Sequence, residues 1–177
     1  MDLGDDSIVI ELGPGTGPFT KEILRIQGEH KNTTYLGLEA KNDFVAVLRE
    51  HFPDHKNAFV HASADTLVEE LKKRNIKHAD TVISGLPWAI FPEALQRTIL
   101  EQVKVTLRSG GKFCTFAYLQ GMALPAGQRF KRLLAEVFEE EAEASATVWS
   151  NLPPAFVYRC EKKPASAAPT VCVLGVR

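Results

Sequence analysis

Short apolar runs alternate with amphipathic stretches along most of the chain. The β-branched run Ile8–Leu12 is typical of a buried strand, and Thr34–Glu39 is predicted to form a second one. Phe19, Ile23 and Ile26 instead recur at helical spacing. Alternation of this kind implies an α/β fold, with a mostly parallel twisted sheet and helices on both faces. The pattern predicts strands at 8–12, 34–39, 58–61, 80–84 and 112–118, and helices at 18–26, 42–52, 66–74, 92–108 and 130–138.

The end of the chain departs from this alternation. Residues 142–149 and 155–161 are predicted to pair as an antiparallel hairpin, joined by Asn151-Leu-Pro-Pro154. Gly110-Gly111 is expected to end the helix before the fifth strand, and residues 124–127 to form a loop. We therefore expect a single domain over 1–163, followed by a loose Ala-, Pro- and Ser-containing tail over 164–177.

The first strand runs into a glycine turn. Gly13, Gly15 and Gly17 precede Pro18, a residue suited to the first turn of a helix. Glycines permit positive φ and let a ligand lie against bare backbone, while the helix N-terminus offers unpaired N–H groups. The G-x-G-x-G spacing differs from the G-x-G-x-x-G of dinucleotide sites. Glu11, at the end of the strand, suits a ligand with a cationic group better than a pyrophosphate.

Further polar groups are predicted at strand ends and helix starts. Glu39 ends the second strand, 22 residues after Gly17, where an acid can accept hydrogen bonds from ribose hydroxyls; the alternative is a surface carboxylate. Asn42 is expected to cap the second helix, and Thr66 and Glu69 to form a capping box for the third. Asp65 has two interpretations, a ligand contact and a cap.

Composition limits the classes of function. The 177 residues carry 21 Lys+Arg and 22 Asp+Glu, and this balance argues against a large nucleic-acid footprint. Three cysteines without metal-ligand spacing, and the lack of a signal peptide or membrane-length apolar run, favour a cytoplasmic protein with reduced thiols. Arg129, Lys131 and Arg132 near the start of a helix have two interpretations, a contact to an anion such as phosphate and an ordinary solvated face.

The motif E-x-G-x-G-x-G at residues 11–17 resembles the first motif of the class I methyltransferases, which bind S-adenosylmethionine. Together with Ser84-Gly-Leu-Pro87 and Asn151-Leu-Pro-Pro-Ala155, it resembles the bacterial phospholipid N-methyltransferases over residues 8 to about 163. That resemblance implies a Rossmann-like class I methyltransferase fold and transfer of methyl groups to the amine of phosphatidylethanolamine, towards phosphatidylcholine. It further implies an amine-bearing phospholipid partner, peripheral attachment to the inner membrane, S-adenosylhomocysteine as product and no metal.

The resemblance also assigns residues. Trp88 is expected to offer an aromatic face beside the transferred methyl group, and Tyr118 to hydrogen-bond the amine or a phosphate oxygen; filling the rim of the core is the alternative for Tyr118. Ser63 and Ala64 are expected to meet the adenine. The residues implied for binding S-adenosylmethionine are Glu11, Gly13, Pro14, Gly15, Thr16, Gly17, Thr20, Glu39, Ala40, Ser63, Ala64, Gly85, Leu86 and Pro87.

Three other functions compete with this one. The ribosomal RNA adenine N6-dimethyltransferases share the first motif, but their fourth motif resembles Asn-Leu-Pro-Tyr, whereas Gly85 replaces that asparagine here. A small-molecule amine N-methyltransferase and a cofactor-binding module without catalysis are the other two. The membrane-binding helix that precedes the first strand in the phospholipid enzymes has no counterpart in Met1–Ser7, which suggests a truncated chain or a minimal enzyme.

Overall fold

The computed structural model describes residues 4–122, 124–150 and 153–164. Its helices and strands alternate from β1 to β5, as the hydrophobic pattern predicts. The elements are β1 (Ile8–Leu12), α1 (Pro18–Gln27), β2 (Thr34–Glu39), α2 (Asn42–His51), β3 (Phe59–His61), α3 (Leu67–Lys73), β4 (Ala79–Ser84), α4 (Glu93–Thr106), β5 (Leu107–Tyr118), α5 (Leu119–Met122), α6 (Pro125–Phe138), β6 (Glu143–Ala144) and β7 (Ala155–Glu161).

The sheet has seven strands in the order β3-β2-β1-β4-β5-β7-β6. Strands β1 to β5 are parallel, and β7 pairs antiparallel with β5 from Lys112↔Glu161 to Tyr118↔Ala155. The predicted mostly parallel sheet with an antiparallel end is therefore confirmed. Its order reverses direction at β1 and β4, and in such sheets ligands bind at the carboxyl ends of the strands beside that point.

Two buried clusters hold helices against the two faces of the sheet. Ile10 and Leu12 of β1 pack with residues of α3, α4 and α6 on one face. Val9 packs with Ile23 of α1 and Leu48 of α2 on the other. Because neighbouring side chains of β1 face opposite sides of the sheet, every residue of the strand except Glu11 is apolar, as expected for a central parallel strand.

Two predicted helix caps are wrong. Asn42 is the first residue of α2, so the cap position falls to Lys41, which makes no side-chain capping bond. At α3 the Thr66 hydroxyl donates to the Ser63 carbonyl at 2.8 Å, so the capping box does not form. The reason is a short 3₁₀ turn at Ala64–Thr66, which precedes α3 and turns the threonine back towards it.

The boundaries after α4 also differ from the prediction. Helix α4 ends at Thr106, and β5 runs from Leu107 through both glycines, so Gly110-Gly111 lies in a strand and terminates no helix. Helix α6 already begins at Pro125, where a loop was expected. The hairpin shortens to the two residues of β6 and a bridge from Val148 to Ala155. Asn151, Leu152 and residues 165–177 lie outside the described residues.

Candidate active site

The glycine turn after β1 has the backbone that its sequence requires. Gly13, Gly15 and Gly17 adopt φ of 68°, 59° and 92°, a region that side chains other than glycine rarely occupy. A Cβ at Gly13 would lie 2.7 Å from Leu86 and one at Gly17 2.7 Å from Phe52, whereas the space beside Gly15 is open. The turn is thus packed from outside at both ends and exposes its middle, ahead of the N-terminus of α1.

Glu11 is fully buried beneath this turn. Its Oε2 atom accepts hydrogen bonds from the Thr20 hydroxyl at 2.8 Å and the Tyr35 hydroxyl at 2.5 Å, while its Oε1 atom has no partner among the described residues. Burial raises the pKa of the Glu11 carboxyl, against the opposing effect of the two hydroxyl donors. A buried acceptor left open is costly unless a ligand donates to it.

Tyr35 is a site residue that the sequence analysis missed. It belongs to β2, and its ring reaches Glu11 because Gly37, which faces Glu11 in the sheet register, leaves room for the hydroxyl. A Cβ on Gly37 would lie 2.8 Å from that oxygen. A glycine inside an otherwise apolar strand was the available signal, since it marks a close approach.

Glu39 ties the end of β2 to the glycine turn. Its Oε2 accepts from the Gly15 backbone N–H at 3.0 Å and its Oε1 from the Lys41 N–H at 2.9 Å. The carboxylate is almost fully buried, which excludes the alternative of a surface carboxylate. Ala40 follows it on the surface, and its carbonyl lies 3.0 Å from the His61 ring nitrogen.

The loop after β3 presents one exposed and one buried residue at the same edge. Ser63 is exposed, and Ala64 is buried at the start of the 3₁₀ turn. Asp65 makes no capping bond, and its buried Oδ1 atom has no partner among the described residues. Asp65 therefore does not cap α3, and a ligand contact is the interpretation that stays.

The loop after β4 lies directly against the glycine turn. The Gly85 N–H donates to the Leu12 carbonyl at 2.9 Å, and the Leu86 N–H to the Ser84 hydroxyl at 3.2 Å. A Cβ built on Gly85 would lie 2.8 Å from the Gly13 carbonyl oxygen. That oxygen belongs to the backbone, so a side chain at position 85 would force the two loops apart.

The expected aromatic face at Trp88 is wrong. Only 4% of the residue is exposed, and its ring stacks on Phe130 of α6 with 4.7 Å between centroids. The indole N–H donates to the Thr115 hydroxyl at 2.8 Å, and the Gln96 amide donates to the Trp88 carbonyl at 2.6 Å. Trp88 is thereby held as part of the core, because Phe130 covers the face that was expected to be free.

Tyr118 and the Gly85–Trp88 loop do meet around one cavity. This cavity measures about 390 Å³ and opens at the carboxyl ends of β4 and β5. Tyr118 is 44% exposed and packs its edge on Phe116, with 4.6 Å between ring centroids. Among the described residues that line the cavity, none is acidic, basic or histidine. The lining can enclose an apolar or neutral group, and it offers no general base.

A relative of known function decides the family. The chain is 36% identical over 154 residues to the ornithine lipid N-methyltransferase of Singulisphaera acidiphila, in a match that covers 86% of this chain and 74% of that protein. The chain belongs to the class I S-adenosylmethionine-dependent methyltransferases. The resemblance drawn from the glycine motif is confirmed at this level.

Other comparisons agree with a class I methyltransferase. The chain is 32% identical over 98 residues to a ribosomal RNA small subunit methyltransferase A of Synechococcus, covering 55% of this chain but only 33% of that protein. The structure matches Aeropyrum pernix fibrillarin, solved with bound S-adenosylmethionine, at a TM-score of 0.64 and 13% identity, covering 89% and 67% of the two chains. No protein-family model matches the chain.

The cofactor of this methyltransferase is S-adenosylmethionine, and the site fits it on its own chemistry. The unpartnered Glu11 Oε1 suits the cofactor's cationic amine, and the open space at Gly15 suits close approach to backbone. The described residues contain no group of three or more potential metal ligands. They also contain no helix long and apolar enough to cross a membrane.

Proposed function

We propose that this methyltransferase transfers methyl groups to the amine of a membrane lipid. The observation that carries the proposal is the contact of Gly85 with Gly13. The fourth motif of the ribosomal RNA enzymes has an asparagine at this loop position, and its side chain accepts a hydrogen bond from the adenine amine. Here a Cβ at position 85 would lie 2.8 Å from the Gly13 carbonyl oxygen, so this position offers backbone alone. An alkyl amine needs no planar amide partner, and a flat base would lose both that partner and the ring face of Trp88.

The cofactor would be held along the carboxyl ends of β1, β2 and β3. Glu11 is proposed to receive its amine, and Glu39 its ribose hydroxyls. The exposed Ser63 and the backbone of Ala64 fit the adenine, and Asp65 adds an open acceptor beside them. The full proposed set is Glu11, Gly13, Pro14, Gly15, Thr16, Gly17, Thr20, Glu39, Ala40, Ser63, Ala64, Gly85, Leu86 and Pro87, with Tyr35 added through its bond to Glu11.

The acceptor amine would enter the cavity between the Gly85–Trp88 loop and Tyr118. When bound, S-adenosylmethionine supplies a methyl group that is already electrophilic, so the chain must orient a neutral amine and exclude water. An alkylammonium has a pKa of about 10, and an apolar lining favours its neutral form. Because no described lining residue is acidic, basic or histidine, the ammonium would lose its proton to solvent at the cavity mouth. The half-exposed Tyr118 hydroxyl is proposed to orient the amine or a phosphate oxygen beside it.

Two lipid amines are supported by different observations. The Singulisphaera relative is named for ornithine lipid, whereas the Ser84-Gly-Leu-Pro87 and Asn151 motifs resemble the phosphatidylethanolamine enzymes. Both acceptors present an amine at a membrane surface, and we propose that shared chemistry. A cytoplasmic enzyme attached peripherally to the inner membrane follows from it.

Labelled S-adenosylmethionine tests the proposal. The protein is offered vesicles of phosphatidylethanolamine, vesicles containing ornithine lipid, a dispersed short-chain lipid amine, a water-soluble amine without acyl chains and unmodified ribosomal RNA in separate reactions. Label in either lipid fraction supports the proposal, and the more active vesicle identifies the headgroup. Label in the RNA alone would refute it. Label only in a water-soluble amine would leave a small-molecule N-methyltransferase.

A further inference from the structure

The exposed large hydrophobic side chains of the described chain are concentrated at one end. Ile90, Leu124, Val148 and Trp149 are 77%, 55%, 51% and 72% exposed, and all lie near the carboxyl ends of β4 and β5. Val105 is an exception, at the far end of α4 and 63% exposed. Exposed apolar side chains scattered singly are ordinary, but a group of them around one opening marks an interaction surface.

Backbone links and the cavity lining place these residues around the same opening. Ile90 lines the same cavity as Tyr118. Val148 bridges to Ala155, whose partner across the sheet is Tyr118, and this brings Trp149 to the same edge. The Leu124 N–H donates to the carbonyl of Gly121, another cavity residue, at 3.2 Å. We name Ile90, Leu124, Val148 and Trp149 the apolar rim.

Positive charge borders the rim. The ten residues from Leu119 to Gln128 carry no charge, and Arg129, Lys131 and Arg132 follow them. Arg129 lies 3.6 Å from Glu93, but Lys131 and Arg132 are exposed without an ion-pair partner among the described residues. At 1.5 Å per residue, Arg132 lies about 10 Å along α6 from its start beside Leu124.

An apolar rim beside unpaired cations has the profile of a surface that lies in a membrane interface. Interfacial elements bury apolar side chains about 5–10 Å into the boundary between headgroups and acyl chains. Lysine and arginine near that boundary gain from the negative surface of anionic lipids. The spacing between Leu124 and the Lys131–Arg132 pair matches this depth, so the cations would reach phosphates while the rim enters the boundary.

We propose that the apolar rim, with Lys131 and Arg132, docks this protein on an anionic lipid bilayer so that the cavity opens directly onto the headgroups. The inference rests on the proposed lipid acceptor and assigns the surface that presents it. A docked orientation lets an amine enter the cavity without the lipid leaving the bilayer.

Vesicle binding tests the surface independently of catalysis. The chain has two tryptophans, of which Trp88 is buried and Trp149 exposed, so a blue shift of the emission on adding phosphatidylglycerol vesicles reports on Trp149. We expect the double variant Leu124→Ser/Trp149→Ser to weaken co-sedimentation with the vesicles about tenfold or more. The double variant Lys131→Gln/Arg132→Gln should weaken co-sedimentation by a similar factor and remove much of its salt dependence. Val105→Ser is the matched control and should bind as the wild type does.

The two proposals can fail separately. If the Leu124/Trp149 variant loses transfer to vesicle lipid but keeps it on a dispersed short-chain lipid amine, docking by the rim is supported. Equal vesicle binding by wild type and both variants, or binding lost equally in the Val105 control, would overturn the docking surface. If no lipid is methylated, either dispersed or in vesicles, the proposed lipid acceptor is overturned. Vesicle binding would still test the docking surface in that case. A wild-type protein that binds no vesicles but associates with a protein partner through Trp149 would also overturn it.

Discussion

Replacement of Glu11 by glutamine should have opposite effects on cofactor binding and on stability. Glutamine matches the shape of Glu11, and its oxygen can still accept from Thr20 and Tyr35. The NH2 group of the glutamine then takes the place of the unpartnered Oε1 atom of Glu11. Where the carboxylate offers the cofactor's cationic amine an acceptor, the amide offers a donor. Loss of one member of a buried charge pair costs about 2–5 kcal/mol, so we expect cofactor affinity to fall about thirtyfold or more.

Stability should change in the other direction, and only at higher pH. Burial raises the pKa of Glu11 above its usual 4.5, so between those two values the folded chain binds more protons than the unfolded chain. Wild-type stability therefore falls as pH rises through this window, by at most about 1.4 kcal/mol per pH unit, and levels off above the folded-state pKa. Glutamine does not titrate. The stability of the Glu11→Gln protein relative to the wild type should rise as pH increases above about 4.5 and become constant above the folded-state pKa of Glu11.

Calorimetric titration with S-adenosylmethionine and urea unfolding at several pH values measure both effects. Glu69→Gln, at an exposed position on α3, is the control and should change neither. Affinity for the cofactor within about threefold of wild type would refute the assignment of Glu11. A stability difference that does not grow with pH would refute the burial argument, even if binding were lost.

Three further predictions concern the core at Trp88, the cofactor site at Glu39 and the pH dependence of transfer. Trp88→Ala should destabilise the fold by about 3–5 kcal/mol in urea unfolding, because it empties a core position stacked on Phe130; Trp88→Phe should recover most of that loss. Glu39→Gln should weaken cofactor binding about tenfold or more while KM for the acceptor stays constant, because the charged acceptor beside Gly15 is lost. For the wild type, kcat/KM should rise about tenfold per pH unit between about pH 6 and 8, since only the neutral amine reacts and the cavity holds no base; a flat profile would contradict this.

Local signals were sufficient to predict the first half of the sheet. The strand at Ile8–Leu12 and the glycine turn after it are determined by the residues of those segments themselves. Strands β1 and β2 therefore begin and end where the sequence predicts. Glu39 was placed beside the turn by its spacing alone, because parallel strands bring their carboxyl ends to one edge. Its direct bond to the Gly15 N–H follows from that placement.

The errors arise where distant residues decide the outcome. The resemblance assigned Trp88 an open aromatic face, yet Phe130 of α6 and Thr115 of β5, both distant in sequence, hold it in the core. Gly110-Gly111 has the composition of a helix end, but Leu107 and Lys112 pair with β4 on either side of the two glycines, and both glycines exchange backbone hydrogen bonds with Lys162, so they lie within β5. From sequence alone, Tyr35 is predicted to be an ordinary strand aromatic. Only the structure places its hydroxyl beside Gly37 and in a hydrogen bond with Glu11.

The most direct test of the lipid acceptor is the lipid composition of bacteria that make no methylated lipids of their own and express this chain. Mass spectrometry of the extracted lipids should find methylated phosphatidylethanolamine, or methylated ornithine lipid in a host that makes it, and neither in cells that express Glu11→Gln. Unchanged lipids together with newly dimethylated adenines in the ribosomal RNA would contradict the account.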